Sequence, residues 1–117
     1  MKNFNMVKLN LSKAKSFLKE ELMLTGCEVS FGVLGADEKV PFLHAHKQNE
    51  EVYIFLKGEG TFSVDGEEFA VSKDSVVRVA TAGMRGLSAK STGLEYICIQ
   101  AKENSLIQET MQDGIIG

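Results

Sequence analysis

Three side chains in one short stretch of the chain could together hold a metal ion. His44 and His46 are the two histidines of the sequence, and Glu51 follows five residues after the second. On an extended strand alternate side chains point to the same face, so the two imidazoles would lie side by side. A carboxylate brought back by the next strand would complete a two-histidine, one-carboxylate set that suits Fe(II), Mn(II), Ni(II) or Zn(II). We therefore predict that His44, His46 and Glu51 are metal ligands.

This stretch resembles the first sequence motif of the cupin superfamily. In that motif H-x-H is followed by three or four residues, a glutamate, six residues and a glycine, and the spacing from His44 through Glu51 to Gly58 fits it. The glycine that opens the family's motif is replaced here by Glu38. The resemblance extends over residues 25–101 and implies an all-β fold, the double-stranded β-helix or jelly-roll barrel.

The second motif of the family usually supplies a further histidine ligand, and the chain departs from it. Asp74 and Gly83 fit the pattern, but Gly86 falls on the histidine position. If the preceding turn is one residue shorter, Arg85 takes that position instead. The resemblance therefore implies an incomplete metal site with two histidines and one glutamate. An inward Arg85 would repel a dication and would favour a carboxylate or phosphate.

Local patterns along the chain agree with an all-β domain that carries one short N-terminal helix. Apolar residues at helical spacing over 11–24 indicate the helix. Asp65 followed by Gly66 is typical of a two-residue hairpin, and further turns are expected at 58–60 and 91–93. The predicted strands are 27–34, 40–45, 51–56, 61–64, 67–71, 75–80, 84–89 and 94–101.

The strand that carries Glu51 also predicts a ligand pocket. Tyr53 and Phe55 share the face of Glu51, so an inward carboxylate brings both rings inward as a pocket wall. With Arg85 they are the predicted ligand-pocket residues. The opposite face of the strand, residues 52, 54 and 56, is apolar as well and needs its own cover. A second sheet, the N-terminal helix or a partner subunit would each supply it.

Length and composition limit the class of protein. A chain of 117 residues is one domain, 1–117, and 25% of its residues are charged. The net charge is −3 and no basic patch is present, which argues against nucleic acid as a partner. No apolar run approaches the roughly 20 residues that span a bilayer. The N-terminal residues lack the features of a signal peptide, so we expect a cytoplasmic protein, and the apolar strand face and apolar tail favour a homodimer.

The function that the sequence favours is small-molecule binding by a cupin with an incomplete metal site. The ligand would be anionic if Arg85 faces it. Two alternatives stay open. One is an enzyme of this fold, either a metal-dependent oxygenase or a metal-free sugar or keto-acid isomerase in which a histidine is the general base. The other is a non-catalytic ligand-binding or sensor module. Fold alone does not choose among them, and no catalytic residue is assigned.

Overall fold

The computed structural model describes residues 2–117, and in these residues the chain forms six strands and two four-residue helices. Within the same residues no helix is long and apolar enough to cross a membrane. The strands pair antiparallel in the order β1-β2-β6-β3-β4, and β5 pairs with the first half of β3. The elements are β1 (Lys15–Phe17), α1 (Lys19–Leu22), β2 (Glu28–Leu34), β3 (Asn49–Val64), β4 (Glu67–Ser72), β5 (Val76–Val79), β6 (Arg85–Lys102) and α2 (Thr110–Asp113).

Two long strands form the frame of the domain. β3 and β6 pair along their whole length, from Asn49 opposite Lys102 to Val64 opposite Arg85. Two register shifts, between Phe55 and Lys57 and between Gly58 and Gly60, bend the pair in its middle, as β-bulges do. β5 then extends one half of the bent pair and β4 the other. This arrangement is the jelly-roll, or double-stranded β-helix, fold that the sequence predicted.

The predicted turns at 58–60 and 91–93 are wrong, because the chain bends there without leaving the sheet. Gly58 and Gly93 have φ of 87° and 70°, a region that favours glycine. An added Cβ on Gly58 would collide with the carbonyl oxygen of Gly93. The two glycines therefore allow two backbones to approach closely at the bulge. As a result, the predicted strands 51–56 and 61–64 are one strand, and so are 84–89 and 94–101.

The predicted short N-terminal helix is present, but three residues of its predicted range, 11–24, form an edge strand instead. Lys15 pairs with Gly32 and Phe17 with Ser30, so β1 extends the sheet beside β2. Only Lys19–Leu22 is helical, and the Glu28 carboxylate accepts hydrogen bonds from the backbone N–H of Leu18 (3.1 Å) and Lys19 (2.8 Å) at its start. Backbone pairing with β2 therefore outweighs the helical spacing of the apolar residues.

The predicted histidine strand, 40–45, is also irregular. It contacts β6 through two isolated bridges, Lys39 with Ser88 and His44 with Arg85. Between the two bridges, Pro41 has no backbone N–H to donate to a neighbouring strand, and the side chains of Phe42 and Leu43 are exposed. The segment therefore leaves the sheet and returns at His44.

The core lies on the inner face of the bent sheet and is rich in aromatic rings. Tyr53, Phe55, Phe62 and Tyr96 pack with ring centroids 4.9–6.4 Å apart. Aliphatic residues of β4, β5 and β6 complete this cluster. A cavity of about 570 Å³ lies beside it, and three of the four rings, all but Phe55, also line that cavity. The core thus forms the floor of a pocket.

Candidate functional site

The cavity is formed by the bent sheet and by the segment that carries the histidines. Inward residues of β1, β2, β3 and β6 line it, and residues 38–46 lie at its side. Apolar atoms form most of its lining surface, and polar groups are set among them, which is the usual character of a small-molecule site. The polar lining residues are Lys15, Ser30, Glu38, Lys39, His44, His46, Glu51, Tyr53, Arg85, Tyr96, Cys98 and Gln100.

The three predicted metal ligands meet at this cavity. One potential ligand atom from each of His44, His46 and Glu51 lies within 4.8 Å of the other two. Backbone hydrogen bonds hold the histidine segment in place. The His44 N–H donates to the Arg85 carbonyl (3.1 Å), and the Arg85 N–H donates to the His44 carbonyl (2.9 Å). The His46 carbonyl accepts from the N–H of Ala82 (2.9 Å).

Glu51 divides its two oxygens between different partners. Oε1 accepts hydrogen bonds from the Tyr53 hydroxyl (2.8 Å) and from Nη1 of Arg85. Oε2 lies 3.1 Å from Nε2 of His46. Burial alone would raise the pKa of this carboxyl, but the hydrogen bonds from Tyr53 and Arg85 and the charge of Arg85 hold its pKa below the ordinary value. Glu51 is therefore an oriented carboxylate anion with one oxygen facing the histidines.

Arg85 is buried, with 1% of its surface exposed, and its guanidinium bonds to the protein itself. Nε and Nη2 donate to the carbonyl of Gly83 (3.2 and 2.9 Å), and Nη2 also donates to the carbonyl of Ala80 (3.4 Å). Nη1 donates to Glu51. The anion that the arginine fork holds is thus Glu51.

Arg85, and not Gly86, occupies the inward position at which the family places its further histidine. The backbone of Arg85 lies directly opposite that of His44 in an antiparallel bridge, and directly opposed residues share a face. An added Cβ on Gly86 would point instead toward Leu43 and Ser63, with Ser63 Oγ 3.0 Å away.

His44 offers a nitrogen that the protein leaves without a partner. Its Nδ1 is buried, and within residues 2–117 it makes no hydrogen bond. Burial lowers the pKa of His44, and Arg85 lowers it further against the opposing charge of Glu51. The ring is therefore the neutral imidazole, which is the form that binds a metal.

The donor set fits a divalent metal. A neutral imidazole with an orphaned nitrogen, a second imidazole and an oriented carboxylate oxygen converge at the cavity. The positive charge of Arg85 opposes a dication, and its ion pair with Glu51 offsets part of this repulsion.

The structure places the two predicted aromatic pocket residues differently. Tyr53 lines the cavity, and burial, together with the nearby Glu51 charge, raises the pKa of its hydroxyl, so it stays a hydrogen-bond donor. Phe55 is 0% exposed and packs behind Tyr53 (6.4 Å between ring centroids), outside the cavity lining. Arg85 also lines the cavity. The ligand-binding roles of all three stay predictions.

Sequence reasoning missed several polar residues of the cavity. Lys15 was assigned to a helix, and its place in the wall depends on pairing between β1 and β2. Tyr96 and Cys98 share an inward face of β6, which the alternation over 94–101 could have indicated. Burial raises the pKa of each to about 12, so both are neutral groups.

Comparisons with known proteins find solved structures that share this architecture. No family model matches the sequence, and no curated protein matches it. A cupin protein from Bacteroides fragilis is 41% identical, with a TM-score of 0.95 over 100% of this chain and 99% of that chain.

Two further structures are similar in fold alone. A Cupin 2 conserved barrel domain protein from Salinispora arenicola has a TM-score of 0.75 at 13% identity, over 87% of this chain and 92% of that one. The plu4264 protein from Photorhabdus luminescens has a TM-score of 0.72 at 14% identity, over 86% of this chain and 89% of that one. Full-length similarity at 41% identity, together with the jelly-roll barrel and the inward His-His-Glu cluster, shows that the chain belongs to the cupin superfamily.

Proposed function

We propose that the protein binds a divalent transition metal together with a small organic anion inside the barrel. The observation that supports this proposal is the convergence of His44, His46 and Glu51 within 4.8 Å at the wall of the cavity. Three protein ligands leave coordination positions open for water or a ligand. A bound metal would supply Lewis acidity to an oxygen of that ligand.

Tyr53 and Arg85 prepare the carboxylate for this role. Both donate to Oε1 of Glu51, so Oε2 stays directed at His46 before any metal binds. Hydrogen bonds of this kind commonly orient the ligands of metal sites and tune their affinity. Because Arg85 replaces a histidine and carries a charge, metal affinity would be lower than that of a three-histidine site.

The charges of the cavity favour an anionic ligand. Its lining holds three cations and two carboxylates, although the whole chain has a net charge of −3. A bound dication would add two further positive charges. The ligand that fits is therefore a small anion with an apolar body, since aromatic and aliphatic side chains form most of the wall. The charged lining residues are Lys15, Lys39, Arg85, Glu38 and Glu51.

Elemental mass spectrometry tests the metal part of this proposal. Tag-free protein, purified without chelator and incubated with Fe(II), Mn(II), Ni(II) or Zn(II), should retain close to one metal per chain. The H44A/H46A and E51Q variants should lose it. E50Q is the matched control, because Glu50 is the neighbouring carboxylate and pairs with Arg78 (3.6 Å) away from the site. Metal-free wild-type protein, or equal metal in H44A/H46A, would overturn the proposal.

A metal-free isomerase is a second candidate, and one contact favours it. Oε2 of Glu51 lies 3.1 Å from Nε2 of His46, and a carboxylate beside an imidazole can orient the ring for proton transfer. Isomerase activity on a sugar or keto acid should then survive a chelator and disappear in His46→Gln. Loss of activity with the chelator would reject this candidate in favour of the metal site.

We also propose that two copies associate through the outward face of the central strands. Val52 lies opposite Ile99, and Ile54 lies opposite both Ile97 and Val76, so apolar side chains adjoin across three strands. Val76 is 64% exposed. A two-fold contact between such self-complementary faces would remove this surface from water.

Light scattering after size exclusion tests this association. The wild-type protein should have the mass of a dimer, and Val76→Lys should be a monomer. Ser72→Lys, on exposed β4, is the control and should stay dimeric. A wild-type monomer at micromolar concentration would contradict the proposal.

A further inference from the structure

The cavity contains another cation, Lys15, which lies on the edge strand β1. In the sheet register Lys15 is opposite Gly32, and Gly32 is opposite Tyr96. Directly opposed residues of antiparallel strands share a face, so these three form one row. Tyr96 lies on the inner face and is 3% exposed. Lys15 therefore faces the cavity too, and it is one of the residues that line it.

A glycine in the middle of this row allows the aromatic ring to reach the lysine. An added Cβ on Gly32 would collide with the ring of Tyr96, so the ring lies directly over Gly32. Nζ of Lys15 is 5.0 Å from the centroid of that ring and 5.9 Å from the centroid of Phe17. The ammonium is thus held between two aromatic rings, at distances where cation–π attraction operates.

Lys15 has no anionic partner within the part of the chain that the structure describes. The ion pairs of residues 2–117 do not include it, and no side-chain hydrogen bond there starts from Nζ. An ammonium has three N–H donors. Arg85 differs, because its donors are directed at Glu51, Gly83 and Ala80. Of these two cations, Lys15 is the one whose N–H donors the protein leaves unfilled.

Burial makes this unpaired state costly. Burial lowers the pKa of Lys15, and the charge of the Glu51 carboxylate opposes this shift. A ligand that brought a negative charge to Nζ would offset the loss of hydration, and the bond would be charge-assisted.

We propose that Lys15 binds the carboxylate of a small organic acid whose apolar body packs against Phe17 and Tyr96. The proposal rests on the proposed function, since it identifies which residue recognises the anion and the class of ligand. It does not require the metal, because Lys15 is not one of the three residues proposed as metal ligands. The two proposals can therefore fail separately.

Fluorine NMR with 4-fluorobenzoate tests the proposal in chelator-treated protein. The neutral amide 4-fluorobenzamide has nearly the same shape and serves as the uncharged probe. Wild-type protein should bind the benzoate more tightly than the benzamide. Lys15→Met should weaken benzoate binding about tenfold or more, the effect of losing one charged hydrogen bond. Lys15→Arg should retain most of the affinity, because it keeps the charge.

Lys90→Met is the matched control, since Lys90 is an exposed lysine of β6 that does not line the cavity. It removes the same charge and should change benzoate affinity little. Benzamide binding should be equal in wild-type and Lys15→Met protein, which shows that the pocket is intact. Lys15→Gln offers a second variant if the methionine protein does not fold.

Three results would overturn the proposal: no benzoate binding by the wild type at millimolar concentration, equal binding in Lys15→Met, or an equal loss in Lys90→Met. Metal content of Lys15→Met, measured in parallel, should match the wild type. Wild-type protein that binds benzoate but retains no metal would count against the metal site alone.

Discussion

Two cations of the cavity, Arg85 and Lys15, have different surroundings. Arg85 begins β6, is 1% exposed, and directs its guanidinium at the Glu51 carboxylate and two backbone carbonyls. Lys15 lies on the short edge strand β1, is half-buried, and rests against the rings of Phe17 and Tyr96. Its ammonium pairs with no carboxylate in residues 2–117.

The difference shows that position alone does not give a buried cation its role. A guanidinium whose donors are filled by the protein holds another group in place, and here it fixes Glu51 beside the histidines. An ammonium whose donors are unfilled contributes little to the fold and can bind a ligand. Arg85 is therefore a positioning residue in our interpretation, and Lys15 is a binding residue.

Stability should separate the two cations most strongly. Arg85→Met leaves Glu51 buried without its counter-ion, so the free energy of unfolding should fall by about 3–5 kcal/mol. Lys15→Met removes a charge that has no protein partner and should cost less than about 1 kcal/mol. Urea unfolding followed by circular dichroism measures both values. The R85M/E51Q double variant should recover part of the loss. Equal destabilisation by the two methionine variants would contradict the division of roles.

Metal affinity should respond to Arg85 and not to Lys15. Arg85→His removes a charge that opposes a dication and supplies a third imidazole. Zinc affinity should rise about tenfold or more, an added 1.4 kcal/mol of binding free energy. Competition with a chromophoric chelator measures it. Lys15→Met is the control and should bind zinc as the wild type does, while unchanged affinity in Arg85→His would show that Arg85 does not replace a ligand.

Removing the hydrogen bond from Tyr53 to Glu51 should lower stability less than removing the Arg85 guanidinium does. Tyr53→Phe keeps the ring but deletes the 2.8 Å hydrogen bond to Oε1. Unfolding free energy should fall by about 1 kcal/mol, and zinc affinity should fall about tenfold because the carboxylate is held less firmly. The same unfolding and competition experiments measure both. An affinity equal to that of the wild type would mean that Arg85 alone positions Glu51.

The smallest expected effect is on the pH dependence of stability. The folded-state pKa of Lys15 lies below its unfolded value of 10.5, so the unfolded chain binds more protons between these two values. Stability of the wild type relative to Lys15→Met should therefore rise as the pH rises through the folded pKa toward 10.5. Urea unfolding of both proteins at several alkaline pH values measures this difference. A constant or falling difference would show that burial does not lower the pKa of Lys15.

Much of the site was predictable because its residues follow simple local rules. The spacing of His44, His46 and Glu51 indicated a convergent donor set, and the structure brings these side chains together. Strand alternation from Glu51 placed Tyr53 and Phe55 on the same buried face. The all-β jelly roll followed from the same strand patterns and from the family resemblance.

The features that the sequence did not predict depend on contacts between distant segments, or on backbone conformations that the residue type does not indicate. Ala82 has a φ of 68°, a conformation that favours glycine, and its turn leads into the strand on which Arg85, not Gly86, faces inward. Lys15 reaches the cavity because β1 pairs with β2. The apolar residues around it recur at helical spacing, which predicts a helix instead of a strand. Glycine at position 58 is typical of a turn, but in the structure Gly58 lies at a β-bulge within the long strand β3.

Anomalous diffraction from crystals of the zinc-loaded protein would test the central claim most directly. Our interpretation predicts one peak within about 2.0–2.2 Å of donor atoms of His44, His46 and Glu51. It also predicts that Arg85 stays hydrogen-bonded to the other oxygen of Glu51. No peak among these three residues, or a peak that appears only when Arg85 has left Glu51, would contradict the proposal that the guanidinium positions the metal-binding carboxylate.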